Sequence, residues 1–355
     1  MDKETYTTLI KWDDSSEDLN RKAKYSLGTL IKDIDAIGKN NNDKQCFFIL
    51  KLLISTYYAK FIIPTYKDDF SKYPSEPFHP KATGHSSASL RKFKHENDTI
   101  ISKKADNPLV WQYEGLKSDA IDMHFIQSIT NYIVVSFNPL FIKFFGYDPK
   151  TDNTEASIGT YEFGVIDFGH LFYQTDKDYT NLIDTDEKQL KILLSILLIY
   201  ICLCDYSIDH GDINTDQFQI DENSEVKMLD FDESVMLSTV RSNDSSSVSS
   251  MFYNNVFRKA FTNFNDKDYG RNTRLEQSSP LYLKMINNLL NKIQHIMDIC
   301  SVESSDKTTK IMDYDKTKAF IASAYFNPIN DFRSELIGKI NDANELLHIA
   351  KIGIN

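Results

Sequence analysis

The strongest constraint on the fold of this chain is a run of thirteen residues, Ile192–Cys204, in which only Ser195 is polar. Apolar runs of about 10–14 residues are shorter than a membrane span and are typical of buried core helices. A helix that is apolar on every face must be surrounded by protein. We therefore predict a central buried helix over Lys188–Cys204, and no transmembrane segment.

The patterns on either side of this helix divide the chain into three regions. Residues 1–75 carry apolar side chains at helical spacing and predict a helical N-terminal extension. Residues 66–82, which carry three prolines, predict an irregular connector. Residues 76–168 alternate short strand-like runs, among them Phe141–Tyr147 and Tyr161–Phe168, with one helical segment, 119–135. Residues 169–355 are mainly helical. This order of strands and helices predicts an α+β fold.

Charge and cysteine content narrow the classes of function. The formal net charge is -11, which argues against a nucleic-acid partner, because binding to a phosphate backbone depends on Lys and Arg. The four cysteines, Cys46, Cys202, Cys204 and Cys300, provide no second pair for a zinc site. Without a secretory signal at the N-terminus, we expect reduced thiols and an intracellular, cytoplasmic protein.

Two acidic residues follow the apolar helix in a pattern that is typical of a catalytic, metal-binding site. His210-Gly211-Asp212 lies in a loop after the helix, and a predicted hairpin, Phe218–Leu229, leads to Asp230 eighteen residues later. Because these residues leave the two ends of one hairpin, Asp212 and Asp230 can converge on one point. Such a pair suits a magnesium-bound triphosphate, with one carboxylate orienting a hydroxyl and the other holding the metal.

The combination of His-Gly-Asp with Leu229-Asp230-Phe231-Asp232 resembles the protein-kinase superfamily, whose template is H-R-D-x-x-x-x-N followed by D-F-G. It is similar in particular to the aminoglycoside phosphotransferase and choline kinase branch, and to divergent kinases of large DNA viruses such as poxviruses. The resemblance implies a bilobal fold with residues 76–168 as the N-lobe and 169–355 as the C-lobe. It implies Asp212 as catalytic base, His210 as the residue that holds the loop, and Asp230 as the metal ligand.

Two positions depart from the pattern of the resembling family. Gln217 stands where a metal-binding Asn is usual, and Asp216 beside it could substitute as a ligand. Asn214 stands where protein kinases have a Lys, which removes a positive charge that would neutralise the transferring phosphate. These departures leave catalytic activity open.

Residues 76–168 match the N-lobe of the resembling family less closely. Gly84 begins a Ser-rich segment that could cover phosphates, although an ordinary Ser-rich loop is the preferred interpretation. Lys103 could be the strand lysine that pairs the phosphates, with Asp122 in place of the usual Glu, although both lysines at 103 and 104 could simply be solvated. The upstream run Asp167-Phe168-Gly169 is interpreted as a chance look-alike of the metal motif.

These observations favour an enzyme that transfers phosphate from ATP with Mg²⁺ or Mn²⁺, and a protein Ser/Thr acceptor is preferred over a small molecule. One alternative is a catalytically impaired pseudokinase that acts as a scaffold or a virion-type structural component with a protein partner. Another is a small-molecule kinase of the aminoglycoside phosphotransferase or choline kinase type. The remaining alternative is an acidic surface hairpin in an unrelated domain.

Overall fold

The computed structural model describes residues 68–78, 90–104, 132, 135–148, 157–172, 177–206, 208–231, 234–236, 248–265, 279–305, 307 and 309–352. The predicted helical extension over 1–75 lies outside the described residues except at its last few positions. Gly84, Asp122 and Asp232 also lie outside them. The predicted helix 119–135 is described at Tyr132 and Val135 alone, and both are helical.

The N-terminal part of the described chain is a five-stranded antiparallel sheet in the order β1-β2-β3-β5-β4. Its strands are β1 (Ser75–Pro77), β2 (Leu90–His95), β3 (Asp98–Lys104), β4 (Phe144–Asp148) and β5 (Ser157–Tyr161). Lys103 lies on β3 opposite Ile158 of β5. Its side chain and that of Ile100 leave opposite faces of the sheet, because side chains alternate along a strand.

The face that carries Ile100 is covered by the segment that precedes β1. A short 3-10 helix, Phe70–Lys72, places Phe70 in a small apolar cluster with Phe93 and Ile100. The Phe70 N–H donates to the Asp148 carboxylate at 3.0 Å, which fixes the segment to β4. Gly159 permits this contact, because a Cβ there would lie 2.9 Å from the Phe70 ring.

The remaining chain is organised around helix α1 (Asp186–Tyr206), whose side chains from Ile192 to Cys204 are all buried. Among the described residues α1 is the one helix long and apolar enough to cross a membrane, and 83% of its most apolar 18-residue stretch is buried inside the protein. The core helix of a soluble protein can have the same length and composition, so these two properties are weak evidence for a membrane span. The buried position was predicted from the apolar run.

Five further α-helices follow α1 among the described residues. They are α2 (Val248–Met251), α3 (Lys259–Asn265), α4 (Pro280–Cys300), α5 (Tyr314–Ile321) and α6 (Asn330–Ile352). A π-helical segment, Phe252–Arg258, joins α2 to α3, and the hairpin β11 (Ser301–Glu303) with β12 (Lys310–Met312) separates α4 from α5. The described residues therefore form an α+β fold, as predicted.

A second sheet lies between the five-stranded sheet and α1. Its strands are β6 (Ile166–Asp167), β8 (Phe218–Ile220) and β9 (Val226–Met228), in the order β6-β8-β9. A two-stranded pair, β7 (Ile208–Asp209) with β10 (Val235–Met236), flanks it. The hairpin β8–β9 was predicted, and its observed ends differ from the prediction by one residue.

Three predicted elements are corrected by the structure. The proline-containing stretch 66–82, predicted to be irregular, contains β1, and the predicted boundary at residue 75 falls inside that strand. The predicted strand Tyr161–Phe168 is divided, because Gly164 adopts a positive φ of 83° between β5 and β6. The strand predicted at Phe141–Tyr147 begins only at Phe144, since Ile142 donates instead to the Met228 carbonyl at 3.0 Å.

Candidate functional site

Two loops present the predicted acidic residues on the same side of the β8–β9 hairpin. The first runs from β7 through Gly211, whose φ of 81° favours glycine, to the exposed Asp212. The second follows β9 and reaches Asp230, which adopts a left-handed backbone conformation with φ 64°. Asp is among the non-glycine residues that tolerate this conformation best. The convergence expected from the hairpin is present.

Lys103 reaches this pair of carboxylates from the five-stranded sheet. Its Nζ donates to Asp230 Oδ1 at 2.7 Å across 127 positions of the chain. The two side chains are 29% and 31% exposed, so the pair is partly open to solvent where the five-stranded sheet meets the Asp230 loop, a place that we call the cleft. An ion pair this exposed adds little stability, which makes its location more informative than its strength.

Gln217 joins the two carboxylates. Its Nε2 donates to Asp212 Oδ2 at 3.1 Å and lies 3.5 Å from Asp230 Oδ2. Asn214 Nδ2 donates to the other oxygen of Asp212 at 3.0 Å, while the Asn214 side-chain oxygen accepts from the Asp216 N–H. The carboxylate of Asp212 is therefore held at both oxygens by neutral amides.

Hydrogen bonds to backbone groups hold the two loops together. The His210 ring is fully buried, and its Nε2 lies 2.6 Å from the Leu229 carbonyl oxygen. The Leu229 N–H donates to the Gln217 carbonyl at 2.8 Å. The His210 side chain thus connects the loop that carries Asp212 to the backbone that precedes Asp230, and its ring is buried behind the exposed carboxylates.

Aromatic rings continue from His210 into the five-stranded sheet. The Phe231 ring lies 4.8 Å from the His210 ring and 5.7 Å from that of Tyr132, centroid to centroid. Tyr132 in turn stacks on Phe144 of β4 at 5.7 Å. Phe141 packs edge-on against Phe231 at 5.6 Å. The position of the Asp230 loop is therefore linked by packing to both sheets.

Asp216, predicted as an alternative metal ligand, is turned away from this cluster. Its side chain is exposed, and its Oδ1 accepts from Thr215 Oγ1 at 3.1 Å. That oxygen also lies 3.0 Å from the position of a Cβ on Gly169, which places it beside the start of the helical region. Gln217 and Asp216 leave the short 3-10 helix Thr215–Gln217 in different directions, and only Gln217 joins the acidic pair.

The look-alike run Asp167-Phe168-Gly169 has a separate environment. Asp167 is buried, and its carboxylate accepts from the backbone N–H of His170 at 2.9 Å and lies 2.7 Å from His170 Nδ1. Burial raises the pKa of Asp167, and the contacts with His170 oppose that shift. Among the described residues, the contacts of its carboxylate are with His170.

The cluster contains carboxylate and amide oxygens, which are the donor types that hard divalent cations prefer. Within the part of the chain that the structure describes, no three His, Cys, Asp or Glu side chains form a group that could hold a metal ion. Mg²⁺, however, is usually held by one or two carboxylates together with the phosphates of its substrate. The Gln217 amide N–H₂ stands between two carboxylates, and a half-turn of that amide would present its oxygen to a cation at the same place.

The predicted site residues therefore divide into groups. Lys103, Asp212, Gln217 and Asp230 meet in one cleft, His210 supports them and Asp216 lies apart. The sequence reasoning missed Tyr132, whose hydroxyl accepts from the Phe231 N–H at 3.0 Å. Since 99 residues separate the two partners, no local pattern could have revealed that contact.

In comparisons with known proteins, no protein-family model and no curated protein matches the chain. The functional assignment therefore depends on the arrangement of Lys103, Asp212, Gln217 and Asp230 itself.

Proposed function

We propose that this protein is an ATP- and Mg²⁺- or Mn²⁺-dependent phosphotransferase with a bilobal protein-kinase-like fold, and that its acceptor is a protein Ser/Thr hydroxyl. The observation that carries the proposal is the hydrogen bond between Lys103 of the five-stranded sheet and Asp230 beyond the β8–β9 hairpin. Together with the Gln217 contacts, it brings a cation and two carboxylates from three separate segments into one cleft. In the proposed fold these segments belong to two lobes that enclose the nucleotide.

Each residue of the cluster has a role in this proposal. Asp212 is the exposed carboxylate, and its oxygens retain lone pairs after accepting from Asn214 and Gln217, so it can accept the proton of an incoming hydroxyl. Lys103 carries three N–H donors and can contact a phosphate oxygen. Asp230 and Gln217 would hold the divalent cation, which neutralises charge on the transferring phosphate when it is bound.

A pseudokinase scaffold is the second candidate, and the environment of Asp212 favours it. Asn214 stands where a lysine would bring positive charge to the phosphate. Its neutral amide is already hydrogen-bonded to Asp212. The cluster of Lys103, Asp212 and Asp230 carries one positive and two negative charges. Without a cation, the net negative charge of this cluster disfavours a triphosphate, so a bound metal ion should strengthen nucleotide binding.

Transfer of label from γ-labelled ATP to a generic protein acceptor, with Mg²⁺ or Mn²⁺ present, distinguishes the two candidates. For an enzyme we expect metal-dependent transfer that falls by about 100-fold or more in Asp212→Asn, the range expected for loss of a general base. Asp216→Asn is the matched control and should retain transfer. Transfer at the same rate in Asp212→Asn and wild type would contradict the assignment of Asp212, and its absence from wild type would favour the scaffold.

A further inference from the structure

We infer that Tyr132 is a positioning residue for Asp230 and that it acts through the peptide bond between Asp230 and Phe231. The Phe231 N–H donates to the Tyr132 hydroxyl oxygen at 3.0 Å. Tyr132 is 3% exposed and Phe231 is fully buried, so water cannot readily replace this hydrogen bond. The inference rests on the proposed function, since it concerns the carboxylate assigned to the metal.

The backbone at Asp230 needs such support. Its φ of 64° places a non-glycine residue in the left-handed region, which residues with a side chain rarely adopt. Rotation about the N–Cα bond of Asp230 would relieve this conformation, and it would move the carboxylate and the Phe231 N–H together, away from Lys103 and Tyr132. A buried N–H needs an acceptor, and the Tyr132 hydroxyl provides one for Phe231 in the observed orientation. The hydroxyl therefore stabilises the conformation that presents the Asp230 carboxylate.

Tyr132 is itself held by the five-stranded sheet. Its carbonyl oxygen accepts from the N–H of Ser136 at 3.0 Å and from the hydroxyl of the same residue at 2.6 Å. The Ser136 hydroxyl oxygen in turn accepts from the Phe144 N–H of β4 at 2.8 Å. The Tyr132 ring also stacks on the Phe144 ring. These contacts set the position of the hydroxyl relative to β4.

Asp230 is thus tied to the five-stranded sheet at two points. Lys103 of β3 holds its side chain, and Tyr132 holds the peptide that follows it. A bound triphosphate competes with Asp230 for the Lys103 ammonium group, because both are anionic acceptors. The backbone tie through Tyr132 does not take part in that competition. It is therefore the contact that keeps the carboxylate directed at the cation when nucleotide is present.

The test compares two variants that each remove one buried tyrosine hydroxyl. Tyr132→Phe removes the acceptor of the Phe231 N–H. Tyr200→Phe is the matched control, because the Tyr200 hydroxyl is buried and bonded at 2.9 Å to Ser249 Oγ and at 3.1 Å to the Met312 carbonyl, away from the cleft. The two readouts are amide hydrogen exchange at Phe231 and the affinity for Mn²⁺ with a non-hydrolysable ATP analogue.

We expect Tyr132→Phe to accelerate exchange at Phe231 and to weaken Mn²⁺ affinity by about ten-fold or more, as for other residues that orient a metal ligand. Tyr200→Phe should change neither readout. If Tyr132→Phe does not fold, Ser136→Ala, which removes the hydroxyl that links Tyr132 to β4, should produce the same two changes to a smaller degree.

Three results would overturn the inference in distinguishable ways. Unchanged exchange at Phe231 in Tyr132→Phe would show that the hydrogen bond does not protect this peptide. Faster exchange with wild-type Mn²⁺ affinity would show that the hydroxyl has a structural role alone. Absence of Mn²⁺–nucleotide binding in the wild type would remove the proposed function, and the metal-positioning role with it, while exchange at Phe231 would still report the hydrogen bond.

Discussion

At the scale of single residues, Gln217 is the position where the chain departs most informatively from the kinase pattern. Its amide nitrogen contacts both carboxylates of the cleft. For an active enzyme, Gln217→Ala should lower activity about ten-fold or more, because a metal ligand is lost, whereas Gln217→Asn should retain or raise activity, because it keeps a carbonyl ligand on a shorter stem. Steady-state rates at saturating and limiting Mg²⁺ measure both effects.

The matched control for this prediction is Gln219→Ala, which removes the same side chain from β8 beside Gly164 and outside the cleft. Its rate should equal that of the wild type. A Gln217→Ala protein that turns over as fast as wild type would show that another group completes the metal site.

At the same scale, the sequence predicts which residue types meet but not every direction in which they point. Asp212 and Asp230 converge because the β8–β9 hairpin joins their loops, and that hairpin is readable from its two apolar runs and its turn. The choice between Asp216 and Gln217 depends on the direction of adjacent side chains within one 3-10 turn, which residue spacing does not define. The Tyr132 hydroxyl is a long-range contact with no local signature.

At the scale of elements, helix α1 is the feature that the sequence predicts best, since a run of thirteen residues with Ser195 as its one polar member favours a buried helix. Leu194 is fully buried within it. We expect Leu194→Asp to unfold the protein, because an unpaired buried charge costs several kcal/mol against a total stability of about 5–15 kcal/mol for a domain. Thermal denaturation followed by circular dichroism measures this.

Leu281→Asp is the control for that substitution. Leu281 is 64% exposed near the start of α4, so the same change should alter stability by no more than about 0.5 kcal/mol. A Leu194→Asp protein that stays soluble and melts cooperatively at the wild-type temperature would show that α1 is not in the core.

The short strands are the elements that sequence patterns predict least well. β1 has three residues, one of them Pro77, and it forms the edge of its sheet, where a proline is tolerated. Its existence depends on pairing with β2 rather than on its own composition. The start of β4 is similarly decided by long-range contacts, since Leu140 and Ile142 pair with Met228 instead of continuing the strand.

At the scale of the whole molecule, the proposed nucleotide binding depends on the cleft between the five-stranded sheet and the β8–β9 hairpin. Lys103 crosses this cleft to Asp230, and Tyr132 fixes the peptide behind Asp230 from the same side. If the cleft binds a nucleotide, the two parts of the molecule are held together by the ligand as well as by these contacts. Ligand binding should then raise the thermal stability of the entire protein.

Calorimetric titration of ATP into the wild type and into Asp230→Ala, with and without Mg²⁺, tests the central claim most directly. We expect Mg²⁺ to strengthen ATP binding to the wild type by at least about ten-fold, and this enhancement to vanish in Asp230→Ala, because the carboxylate that holds the cation is gone. Asp216→Ala, which removes the neighbouring carboxylate outside the cluster, should keep the wild-type enhancement. An equal effect of Mg²⁺ on ATP affinity in Asp230→Ala and wild type would contradict the account.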